Sequence, residues 1–175
     1  MKNIVVRNII RFLFLIIFQV LVLNGIEMGP YIAMFLYALA ILMLPAGMNK
    51  LLLLVVAFAS GLTVDIFSNV IGFHAFSATL IAFLRILFAD KILTHGEDVS
   101  VDIPCFVTVG FQQFGFYSFL LFFCYNLSYF LLESFSFQDL GQVLLSALLS
   151  TAVDWVLILI YQTLFLNRKK NEMKL

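Results

Sequence analysis

Residues 50–93 read KLLLLVVAFASGLTVDIFSNVIGFHAFSATLIAFLRILFADKIL. Two apolar runs, 51–70 and 73–93, meet at Gly72, and each carries an ionisable residue well inside it, Asp65 and Arg85. A helix needs about 20 apolar residues to cross a bilayer core of about 30 Å, so each run has the length of one crossing. Working outward, the rest of the chain repeats this pattern. Its side chains are 63% hydrophobic and 11% charged, with 21 Phe. A soluble domain averages roughly 45–50% apolar and about 25% charged. A chain of 175 residues has only one small interior and cannot hide that surplus from water. Soluble enzyme, disordered tail and nucleic-acid binder are excluded, and lipid is the expected solvent.

Six stretches qualify as crossings: 9–23, 30–44, 51–70, 73–93, 104–132 and 140–166. The expected fold class is therefore an all-α integral membrane protein, with one transmembrane domain over residues 1–175. The first stretch follows Lys2, Arg7 and Arg11 as a signal peptide would, but Leu23-Asn24-Gly25-Ile26 offers no small-x-small cleavage site, so it reads as a retained anchor. Pro30 opens the second and Pro45 closes it. Ser136-Phe137-Gln138-Asp139 resembles a capping box before the sixth. An alternative parsing has five spans, with 51–70 and 73–93 merged into a re-entrant pair.

Orientation follows from the basic residues. With the N-terminus cytoplasmic, Lys2, Arg7, Arg11, Lys50, Lys91, Arg168, Lys169, Lys170 and Lys174 all fall on inner segments, and the outer loops hold no Lys or Arg. That is the positive-inside bias, and it places both termini in the cytoplasm. Ten Lys+Arg balance ten Asp+Glu, so net charge suggests no partner. Cys105 and Cys124 would stand about 28 Å apart on one helix and cannot bridge each other.

Ionisable groups at membrane depth are costly and default to functional hypotheses. Three qualify: Asp65, Arg85 and Asp154. Arg85 lies about 20 Å below Gly72, and Asp154 about 21 Å from the start of the sixth span. They are expected to meet as an interhelical ion pair; an ion or proton pathway, or an Arg85 that snorkels alone, are the alternatives. Asp65 lies only about 10 Å from the outer end of its span. Its expected partners are His74, hydroxyls of the fifth span or water, in a local structural role, with partner contact or ion binding as alternatives.

Small residues four apart, Ala57 and Gly61, Ala78 and Ala82, Ser146 and Ser150, permit close helix approach. Spans three, four and six are thus expected to cluster. The phenylalanines of span five point all round the helix, which suits lipid. Tyr31, Tyr125 and Tyr129 read as an outer aromatic belt and Tyr161 as an inner one. No catalytic motif or metal-ligand spacing occurs. His74 and His95 fall on opposite sides of the membrane, Ser60 has no base within reach, and His95-Gly96-Glu97-Asp98 is at most a weak cation holder. No enzyme activity, cofactor or metal is expected.

Pro30, Leu44-Pro45, the block Gly61-Leu62-Thr63-Val64-Asp65-Ile66-Phe67-Ser68, then Ile71-Gly72-Phe73-His74-Ala75, and Asp154 in an apolar helix resemble the rod shape-determining protein MreD family. The resemblance covers the whole chain in length and span number. It implies a fold similar to the substrate-binding subunits of energy-coupling-factor transporters. It also implies a multi-pass plasma-membrane scaffold of the bacterial cell-elongation machinery (the elongasome), acting in cell wall biogenesis beside MreC, the actin-like MreB and cell-wall synthases. Gly61, Asp65 and Gly72 would then shape an outer groove for a partner helix, with His74, Arg85 and Asp154 as further intramembrane polar positions. A carrier subunit for a vitamin-type molecule is the alternative. Glu97, Asp98 and Asp102 form an acidic inner segment, read as solvated, with contact to cytoplasmic partners as the alternative.

Overall fold

A computed structural model describes residues 2–26, 29, 31–45, 47–93, 104, 106, 110–134 and 139–166. Among them every regular element is helical: α1 (Lys2–Leu21), a single 3-10 turn (Leu23–Gly25), α2 (Ala38–Leu42), α3 (Lys50–Ser68), α4 (Phe73–Leu93), α5 (Phe111–Ser134) and α6 (Leu140–Leu166). α4 packs against α3 on one side and α5 on the other, and α5 packs against α6. Lys50–Ser68, Phe111–Ser134 and Leu140–Leu164 are long and apolar enough to cross a membrane; Ile9–Gly25 and Phe73–Phe88 are shorter apolar helices.

The distribution of polarity is the reverse of a water-soluble bundle. On α3, Leu51, Val55, Phe58, Leu62 and Ile66 form an exposed stripe at helical spacing, while Ala57, Ser60, Gly61, Val64 and Asp65 face inward. α6 likewise exposes Leu144, Leu148, Val156, Ile160 and Leu164 and buries Ser146, Ser150, Thr151, Asp154 and Gln162. Contiguous exposed apolar surface of this extent marks contact with lipid or protein rather than water. The fold is compatible with a membrane protein.

The second span differs from the expectation. Instead of a continuous helix over 30–44, residues 32–35 are non-helical and α2 has five residues. Every residue from Met34 to Leu44 is buried. The segment runs down the middle of the bundle, surrounded by α1, α4, α5 and α6. A helix satisfies its own backbone, but an interrupted one leaves N–H and C=O groups that other residues must meet. The buried polar side chains owe their positions to that need.

Two boundaries also move. α1 starts at Lys2 rather than residue 9. The fifth helix starts at Phe111, after Gly110 with φ 102°, rather than at residue 104. α6 keeps its expected bounds, Leu140–Leu166, and Asp139 precedes it, accepting from Gln142 and Val143 N–H through its main-chain carbonyl. Ser136, Phe137 and Gln138 of the expected capping box lie outside the described residues, as do Pro30, Cys105, the acidic segment with His95, and the basic tail.

Candidate functional site

The junction of α3 and α4 is built on one carboxylate. Asp65 is almost fully buried; its Oδ1 accepts from the His74 main-chain N–H at 2.9 Å and its Oδ2 from Ala75 N–H at 2.9 Å. Two of the unsatisfied donors that open any helix are thereby met by an anion at the positive end of the helix dipole. The same residue closes α3, because its main-chain carbonyl accepts from Asn69 and Val70. Asn69 (φ 54°) and Gly72 (φ 81°) take the left-handed conformations that the reversal requires. One turn earlier, a Cβ on Gly61 would fall 2.5 Å from His74 O and 2.6 Å from Ala75 Cα. The glycine lets α4 approach until the carboxylate reaches its first turn. Gly61 and Asp65 are thus enclosed beneath α4, and neither opens onto an exposed groove.

Asp154 and Arg85 do not pair. Asp154 Oδ1 accepts from Phe35 N–H at 2.7 Å and Oδ2 from Asn126 Nδ2 at 3.0 Å. Arg85 Nη1 donates to Ile41 O at 2.7 Å and Nη2 to Leu44 O. Both residues bind the interrupted segment, at opposite ends of it. A continuous helix in the second span would need nothing from its neighbours and would leave the two charges to each other; the interrupted segment engages both. Other side chains complete the arrangement: Ser150 Oγ accepts from Ala33 N–H, Gln19 bridges Met34 O and Tyr37 N–H, and Arg11 donates to Met43 O. Carboxylate and hydroxyl therefore meet the donors near the segment's start, and guanidinium groups meet the carbonyls at its end.

Between these ends lies a buried ring cluster. His74 Nδ1 and Tyr125 Oη are 2.7 Å apart, and Tyr125 Oη and Tyr37 Oη are 2.7 Å apart. Phe35 packs against His74, Tyr125 and Tyr129 with ring centroids 4.6–5.1 Å apart. Tyr125 and Tyr129, read from sequence as belt residues, are interior; Tyr161 is also buried and Tyr31 is exposed. Gln19 and Tyr37 were not singled out at all. A signal did exist on α5, where Tyr117, Ser118, Tyr125, Asn126, Ser128 and Tyr129 recur at helical spacing and form its buried face. The rings of span five also divide: Phe114, Phe122 and Phe130 are core, while Phe111, Phe116 and Phe119 are exposed.

Above the ring cluster, at the end of the bundle where α3 turns into α4, a partly open cleft of about 700 Å³ is bounded by the 3-10 turn, residues 32–35, the end of α3, His74 and Tyr129. Among the described residues, no charged side chain lines it. Its size is that of a ligand or anchor pocket, with ring surface and a few polar groups converging on one space. Among the described residues, no group of three or more His, Cys, Asp or Glu comes together as a metal site.

No family model, curated protein or solved structure matches this chain.

Proposed function

We propose that this chain is a non-enzymatic plasma-membrane subunit of the bacterial rod-shape machinery. It crosses the bilayer six times with both termini cytoplasmic, and it holds MreC-type proteins, cell-wall synthases and the actin-like MreB in one assembly. The observation that carries the reading is the use made of the intramembrane polar residues. Gly61, Asp65, Gly72, Arg85 and Asp154 hold main chain or turns of the protein's own bundle, and the His74 ring bonds Tyr125 inside it. A rigid bundle with an apolar exterior and short outer turns suits a scaffold that grips neighbours within the bilayer. The outer cleft, beside the Asp65 junction, is the proposed place where a partner segment docks. Depleting the protein in its host tests the proposal: rods should round up and lyse, and cells that keep their shape would refute it.

One observation favours a second reading, a carrier subunit for a vitamin-type molecule: the ring-lined cleft has a volume suited to a small ligand. A thermal shift of the purified protein with thiamin, riboflavin or biotin would promote that reading over the scaffold.

A further inference from the structure

Along one edge the interrupted segment donates to α6; along the other its donors lack partners among the described residues, although Met34 O is bonded to Gln19. Ala33 N–H and Phe35 N–H donate to Ser150 Oγ and Asp154 Oδ1 on α6. Two residues of extended chain advance about 6.6 Å, and four residues of helix advance about 6 Å. The match is what extended chain over residues 33–35 would give, its alternate donors reaching two side chains one turn apart. Extended backbone turns its intervening residues the other way. There Met34 O accepts from Gln19, but no acceptor among the described residues meets the N–H of Ile32, Met34 or Leu36. Met34 and Leu36 are nonetheless buried.

Unpaired main-chain donors at alternate positions are the signature of a strand edge. Ile32 and Met34 both line the cleft, opposite Phe67 and Ser68 at the end of α3. His74 and Tyr129 line the same space, and neither His74 Nε2 nor Tyr129 Oη has a hydrogen-bond partner among the described residues. Among the described residues the lining is apolar or neutral. An occupant matched to these groups is uncharged and offers acceptors at the two-residue repeat of extended backbone. A helix interior offers none, because its carbonyls are engaged internally, and the free carbonyls at a helix end do not repeat every two residues.

We infer that the cleft takes a short, uncharged, extended segment of a partner protein, which pairs its carbonyls with the free edge of residues 32–34 as an added strand. The inference rests on the scaffold reading and specifies how its partner is held.

The test uses the full chain, purified in detergent, and the full-length MreC-type protein of the same host as probe. Ile32→Pro removes one free donor and no hydrogen bond of the chain itself, and Ile32→Ala shortens the side chain but keeps the donor. Affinity should fall at least 10-fold for Ile32→Pro and stay within about 2-fold for Ile32→Ala, with both thermal midpoints unchanged. Equal losses in both variants would mean that a side chain or helix is bound, and undiminished binding by Ile32→Pro would mean that the edge is unused; either overturns the inference. Hydrogen exchange on the unsubstituted pair covers a proline variant that fails to fold. The amides of Ile32 and Met34 should slow at least 10-fold in the complex. A complex that forms without that slowing overturns strand pairing alone, whereas no complex at all overturns the scaffold reading with it.

Discussion

Gly61 lies against the backbone of α4, so any side chain there meets atoms that move only if the helix does. Gly61→Ala should separate α3 from α4 and cost about 1–3 kcal/mol, the range for overfilling a packed interior. The measurement is the unfolding midpoint in detergent. Asp65→Ala leaves the His74 and Ala75 N–H groups buried and unmet and should cost a comparable amount, about 1–3 kcal/mol. Asp65→Asn, which keeps one acceptor oxygen, should fall between Asp65→Ala and the native protein. The local role expected of Asp65 was legible because a carboxylate seven residues before a glycine turn has few groups within reach. That its partner would be the main chain of His74, and not the imidazole, was not legible. Helix caps depend on where the next helix starts to within a residue, and the apolar run gives no such mark. Gly61 and Asp65, one turn apart on one face, did reveal which side of α3 is packed.

At the scale of elements, the second span decides how the buried charges are arranged. Its sequence, rich in Leu, Ala and Met, has good helix formers, and nothing within 31–44 announces an interruption. The sign lay elsewhere, in the number of buried hydrogen-bonding side chains on α1, α4 and α6, more than a self-sufficient set of helices needs. Read as a pair, Arg85 and Asp154 would tolerate exchange of their charges. Since each holds main chain at a different end of residues 33–44, Arg85→Asp combined with Asp154→Arg should give no rescue. The double variant should be at least as unstable as the worse single one in thermal unfolding, and recovery toward native stability would restore the ion pair. Arg85→Lys should also destabilise, because one ammonium cannot reach Ile41 O and Leu44 O in the planar fork that guanidinium provides.

For the molecule as a whole, composition alone indicated an apolar exterior, and the exposed stripes of α3 and α6 agree with it. What composition cannot show is how a segment with broken helical structure fits among five long helices. The contacts trace its course. Phe35 packs on His74, and Arg85 binds Ile41; along α4 those residues are 11 apart, about 16 Å. On α1, Gln19 meets Met34 and Arg11 meets Met43, eight residues and about 12 Å apart in the opposite direction. Residues 34–44 thus run the length of the bundle's interior while their helix is only five residues long. In the six-span arrangement this makes the interrupted segment a true crossing, and its two ends must face opposite sides of the membrane. Gly25 and Gly47 flank it, and a side chain added at either finds open space. Single cysteines there, in a background lacking Cys105 and Cys124, can be probed with a membrane-impermeant thiol reagent. The Gly25→Cys protein should label in intact spheroplasts and the Gly47→Cys protein only after the membrane is opened; labelling of both from one side would contradict the account.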